Sequence, residues 1–145
     1  PSKILMRHDL QIELQIEISA TPAQVWDVLV NPTKIKQYLY GTEVVSDWQE
    51  GVEIVFQGEY EGQAYRDHGV IQQFEPGKHF SYTYWTGFSG LEDKPENYAL
   101  VSFEITPSPN ACLLRLTQKG FVSEEAAEHS RSGWEAILQQ MAKLV

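Results

Sequence analysis

From Asp9 to Ser19 the chain alternates without a break, with Leu10, Ile12, Leu14, Ile16 and Ile18 apolar and Gln11, Glu13, Gln15, Glu17 and Ser19 polar between them. A period of two places the two sets on opposite faces of a pleated strand, so a half-buried strand is predicted. Thr21-Pro22-Ala23-Gln24 then predicts a helix start. Thr21 can cap, Pro22 suits the first helical position, and Gln24 can reach back to complete a capping box. Val25, Trp26 and Leu29 supply that helix with its apolar face. Asn31-Pro32 stops it, because proline disfavours helical geometry in the residue before it. The same pair opens a second short helix carrying Ile35, Tyr38 and Leu39, with Gly41 as its expected cap.

From Val44 the pattern changes to strands, with turns expected at Gln49 to Gly51, Glu61-Gly62, Pro76-Gly77 and Pro107 to Asn110. About seven strands result. Parity places Phe80, Tyr82 and Tyr84 on one side of their strand, and likewise Val101, Phe103 and Ile105, then Cys112, Leu114 and Leu116; these sets are expected to face the core. Val70 and Ile71 are adjacent apolar residues that cannot both face inward in a regular strand, which suggests a bulge there. The segment after Ser123 predicts the longest helix, capped by Ser123, with Glu124 and Glu125 in the first turn where the macrodipole favours them. At about 100° per residue, Ser123, Ala126, Ala127, Ser130, Trp134, Ile137, Leu138, Met141 and Val145 share a face. Its first half is serine and alanine, and its second half is bulky. Packed across a curved sheet, the small half leaves a space under Ala127 and Ser130, unless sheet residues such as Tyr82 and Tyr84 fill it.

The architecture is therefore α+β: an antiparallel sheet, two short helices after its first strand, and a long C-terminal helix. The chain has 145 residues, room for one domain spanning residues 1–145. A chain of that size buries enough surface to fold without disulfides or a structural metal, and the single Cys112, inward by parity, reads as an inert core residue. Eleven basic against twenty acidic residues leave a net charge of −9. Such a field disfavours phosphate backbones and anionic membranes. The basic residues are scattered, with Lys34 and Lys36 the closest pair, so no nucleic-acid partner is expected. No apolar run approaches the ~20 residues of a membrane span, and the N-terminus lacks the order of a signal peptide, so no membrane insertion and a cytoplasmic setting are expected.

Catalytic signals are sparse. His8 lies in the N-terminal arm, His79 at a strand start, and His129 on the solvent side of the last helix. Asp67 and His68 are the candidates for general acid or base chemistry, but alternation sets Asp67 opposite to Arg66 and His68 unless a bulge intervenes. The alternative is a cross-strand ion pair on the outer face. No His-x-His, His-Glu-x-x-His or cysteine pair is present, so no metal and no cofactor are predicted. Gly87-Phe88-Ser89-Gly90 lacks the lysine and setting of a phosphate loop. Thr86 to Asn97 is a loop of about twelve residues, near the length at which a connection calls for a reason. Its Phe88 and Leu91 either fold over a cavity mouth as a lid or anchor the crossover to the body of the domain.

The order of strand, TPAQVWDVL helix, Asn-Pro, sheet and EEAAEHSRSGWEAILQQM helix resembles the START-like (SRPBCC, helix-grip) superfamily. Within it the chain is similar to the branch named for activators of the ninety-kilodalton heat-shock chaperone's ATPase. The pieces that carry the likeness are Ala20 to Leu29, GEYEGQAYRDHG from Gly58, YTYWTGFSGLEDKPENY from Tyr82, and Gly133-Trp134. The resemblance implies a cavity between the long helix and the concave sheet face. Helix phase gives Ala127, Ser130 and Trp134 as lining candidates, and strand parity gives Tyr82, Tyr84, Phe103 and Leu116. It also implies the candidate roles: a binding module for a small apolar or amphipathic molecule, a co-chaperone contact with a chaperone, or an aromatase- or cyclase-type enzyme using Asp67 or His68. The co-chaperone role goes, in the resembling proteins, with an additional N-terminal domain. The binding module is the favoured reading.

Overall fold

The computed structural model describes residues 4–145. The alternating N-terminal run forms β1 (Arg7–Ile18), with Ile12 and Ile18 buried and the glutamates exposed. Thr21 accepts from the Gln24 amide while Gln24 returns the bond to the Thr21 amide at 2.9 Å, the reciprocal box that starts α1 (Pro22–Val30). Asn31 both ends α1 and caps α2 (Pro32–Tyr38), so one residue bends the chain between two helices. The remaining strands are β2 (Glu43–Ser46), β3 (Glu53–Tyr60), β4 (Gln63–Glu75), β5 (His79–Tyr84), β6 (Ala99–Ser108) and β7 (Ala111–Phe121), and α3 (Glu124–Ala142) closes the chain. Together they form a seven-stranded sheet in the order β1-β7-β6-β5-β4-β3-β2, antiparallel throughout. This is the α+β helix-grip arrangement expected, with the three helices against one face of a curved sheet.

Two expectations shift in detail. Val70 and Ile71 simply alternate, Val70 out and Ile71 fully buried; the register of β4 against β5 slips between Ile71 and Gln73, so the bulge falls after the pair. Gln72 and Gln73 are therefore both exposed, and Phe74 returns to the inner face. The turn expected from Pro107 begins later, because Pro107 and Ser108 pair with Cys112 and Ala111 and leave only Pro109 and Asn110 to reverse the chain. Gly69 marks the closest approach of β4 and β5. A Cβ there would stand 1.6 Å from the Thr83 carbonyl oxygen, so only glycine lets the strands meet.

The main core lies under α1, α2 and the C-terminal half of α3. Trp26, Phe74 and Phe80 pack edge to face, with Trp26 to Phe74 ring centres 5.1 Å apart, and Leu138 and Met141 reach down from α3. Cys112 is buried there, its thiol donating to the Ala20 carbonyl at 3.2 Å, and burial raises its pKa. Val145 lies beyond the end of α3 and is exposed, outside the face that periodicity assigned it. Among the described residues, no helix is long and apolar enough to cross a membrane.

Candidate functional site

A cavity of about 500 Å³ opens between the first half of α3 and the concave face of the sheet. That lies within the ~300–1,000 Å³ typical of small-molecule sites. Its roof is low in bulk because α3 presents Ala126 and Ser130 there before Trp134 and Ile137. Its floor is aromatic and aliphatic: Phe56 from β3, Tyr82 and Tyr84 from β5, Val101 from β6. Tyr40, after α2, and Phe88, in the loop after β5, are 71% and 55% exposed and mark where the cavity meets solvent.

The polar atoms in this lining are few and mostly paired. Tyr84 donates its hydroxyl to Asp67 Oδ2 at 2.7 Å, and Asp67 is 6% exposed. Burial first, and the adjacent Asp67 second, push the Tyr84 phenol well above its ordinary pKa of 10. Burial alone does the same to Tyr82. The Thr42 and Tyr65 hydroxyls are 2.6 Å apart. Tyr65 lies flat over Gly58, where a Cβ would come within 2.6 Å of its hydroxyl oxygen. Trp134 donates its indole N–H to Gln118 Oε1 at 2.9 Å and packs edge-on against Phe103.

Of the residues singled out in the sequence, Asp67, Tyr82, Tyr84, Phe88, Ser130 and Trp134 come together around this cavity. The others are placed elsewhere. Phe103 stacks on Phe80 with ring centres 6.2 Å apart and adjoins only a small neighbouring space. Leu116, paired with Phe103 across β6 and β7, is fully buried in the main core. Ala127 sits one position round the helix from Ala126 and packs against Ile12 and Phe121 at the β1 edge, so Ser130 and not Ala127 faces the space. Leu91 is buried, its carbonyl accepting from the Trp85 indole at 3.3 Å, and does not line the cavity. The loop thus divides the two roles: Phe88 meets Tyr60 and Tyr65 at the cavity rim, and Leu91 anchors.

Asp67 and His68 point to opposite faces, since the bulge falls four residues after them. Asp67 enters the cavity. His68 stands on the outer face with Nε2 2.8 Å from Asp93 Oδ2 and Nδ1 3.7 Å from Glu53. Tyr98 also donates to Asp93, and that bond, followed by His68, lowers the Asp93 pKa. Burial and then Asp93 push the Tyr98 phenol up to about 12. Among the described residues, no group of three or more His, Cys, Asp or Glu could hold a metal ion. Thr42, Phe56, Tyr65 and Gln118 also line the cavity and were not singled out by sequence; parity with Ile54 could have indicated Phe56.

The arrangement has relatives. A family model described as "Activator of Hsp90 ATPase homolog 1-like protein" matches residues 19–145. The chain belongs to this family. Its fold is close to the solution structure of ChR145 from Cytophaga hutchinsonii, 38% identical, with TM-score 0.81 and 92% of each chain covered. CalU16 from Micromonospora echinospora is similar in fold at 22% identity and TM-score 0.72, covering 92% of this chain and 74% of that one. So is the Aha1 dimer from Colwellia psychrerythraea, at 15% identity and TM-score 0.72, covering 92% and 93%. The last two likenesses concern the fold alone. No match is found among curated proteins.

Proposed function

We propose that this member of the activator family is a small-molecule binding module that holds an apolar or amphipathic ligand between the first half of α3 and the sheet. The observation that carries this reading is the cavity of about 500 Å³ with aromatic walls and a handful of fixed polar atoms, in a domain whose interior is otherwise densely packed. The test uses N-phenyl-1-naphthylamine, a neutral probe that fluoresces in apolar surroundings. One probe per chain is expected to bind with micromolar affinity, and Ser130→Trp, which fills the roof, is expected to abolish uptake while the far-UV circular dichroism stays unchanged. Equal uptake by the folded variant would place the probe elsewhere and sink the reading.

A second reading follows from the family's description. With a net charge of −9, the surface suits a basic partner, which a chaperone could present. A stable complex with an Hsp90-type chaperone that raises its ATPase rate, indifferent to Ser130→Trp, would favour it. The enzyme reading is reduced to Asp67 with Tyr84, and turnover of a carbonyl substrate lost in Asp67→Asn would favour that.

A further inference from the structure

We infer that the ligand of this cavity carries a positively charged ammonium group on an apolar body, and that the Asp67 carboxylate receives it; the inference rests on the binding-module reading above. Asp67 lies on the inner face of β4, more than nine-tenths buried, with its carboxylate on the cavity lining. Oδ2 accepts the Tyr84 hydroxyl at 2.7 Å. Among the described residues no lysine, arginine or histidine lies on the cavity wall or pairs with Asp67, and its second oxygen, Oδ1, accepts from no other side chain or backbone amide. Nor is Oδ1 sealed off: among the described residues the fully enclosed side-chain polar atom without a partner is His79 Nε2.

The contrast with the rest of the molecule is direct. Asp9, Glu13, Asp27, Glu53, Asp93 and Glu128, all more exposed, each have a basic side chain within 4 Å. Asp67, the most buried carboxylate among the described residues, has none among them. A carboxylate held in a low-dielectric site with a single hydroxyl donor is undercompensated, and a ligand cation supplies what the chain does not. The surrounding walls agree with that sign. Phe56, Tyr82, Tyr84 and Trp85 line the cavity, and aromatic ring faces attract cations. The field of net charge −9 draws cations to the mouth and repels anions. A ligand carboxylate or phosphate placed here would meet Asp67 with no basic group to offset the repulsion.

Three probes with the same ten-carbon chain separate the head groups: decylammonium, decanol and decanoate, each used below its micelle concentration and followed by the intrinsic tryptophan fluorescence, to which Trp85 and Trp134 on the cavity lining contribute. The wild-type protein is expected to bind decylammonium at least tenfold more tightly than decanol, and decanoate at least tenfold more weakly than decanol. Asp67→Asn, nearly isosteric, is expected to bring ammonium and alcohol within threefold of each other. The wild-type comparison needs no variant, so the inference stays exposed to refutation even where Asp67→Asn folds poorly. If decanol binds, is displaced by Ser130→Trp, and the ammonium shows no preference, the ammonium inference falls and the binding module stands. If none of the three binds, both fall. A preference for decylammonium that survives Asp67→Asn assigns the cation to the surface field and overturns the role of Asp67.

Discussion

The concave face of the sheet is covered along its length by helices, yet its two ends are filled differently. Under α1, α2 and the last turns of α3, Trp26, Phe74, Phe80, Leu138 and Met141 interlock, and only a sliver of space is left beside them. Under the first turns of α3 the same sheet face carries side chains as large, Phe56, Tyr82 and Tyr84, but opposite them the helix offers alanine and serine. The hollow is thus made by the helix and not by the sheet. Polar side chains gather at the hollow end as well: Asp67, Thr42, Tyr65 and Gln118 each have one side-chain partner there, Tyr84, Tyr65, Thr42 and Trp134 in turn. A packed end gives the domain its stability and leaves the other end free of that duty.

The sharpest way to break this contrast is at the boundary. Trp134 spans both ends, touching Phe103 on one side and holding Gln118 on the other. Trp134→Ala is expected to cost about 3 kcal/mol in urea unfolding, the low end for a large aromatic truncated to a methyl, because Trp134 is only partly buried. A cost below ~1 kcal/mol would mean that the two ends are not mechanically joined there. Next comes Met141→Ala, at the heart of the packed end, for which a loss of about 2–5 kcal/mol is expected in the same measurement. Ser130→Trp is the counterpart at the hollow end. It is expected to change stability by less than ~1 kcal/mol, whereas a filled site loses ~1–3 kcal/mol when overpacked. A loss like that of Met141→Ala would erase the distinction altogether.

The smallest effect lies on the other side of the sheet. Tyr98 and then His68 hold the Asp93 carboxylate below its ordinary pKa, so the folded state binds that proton less readily than the unfolded state. The contribution is therefore fully present above the unfolded Asp value of about 3.9 and is lost as pH falls through the lower folded value. Because Asp93 is substantially exposed, solvent screens the interaction and the effect is small. Amide exchange in the loop from Thr86 to Tyr98 is expected to quicken as pH falls below about 4, beyond its ordinary pH dependence. In Asp93→Asn the loop should already exchange faster at neutral pH, with no further step in that window. A step of equal size in the variant would assign the latch to other groups.

What could be read without coordinates was what is local. The capping box at Thr21 and Gln24, the alternation of β1 and the small-then-bulky face of α3 each depend on neighbours within a few residues. The site depends on register. Parity placed Asp67 and Tyr84 each on a definite side of its own strand, but that their side chains meet at 2.7 Å follows from how β4 lies against β5, which depends on the bulge after Ile71 and the absence of a Cβ at Gly69. Helix phase likewise grouped Ala126 with Ala127; only the position of β1 decides that Ala127 packs on Ile12 and leaves Ala126 to the cavity. Leu91 was ambiguous because a loop side chain has no periodicity to orient it.

The sheet order has a consequence for the order of events during synthesis. β1 precedes the other six strands in the chain, yet its strand neighbour among the described residues is β7, with Ile12 set opposite Gln118, and α3 covers it later still. A nascent chain therefore carries an alternating apolar strand with an open edge until β7 has been made. The meander from β2 to β6 can pair as it appears, but closure at β1 must wait for a contact spanning most of the sequence, whose loop entropy is met late. Refolding in milliseconds to seconds, and not microseconds, is the time scale such a topology sets. The glutamates and glutamines on the other face of β1 keep that waiting strand hydrated along one side.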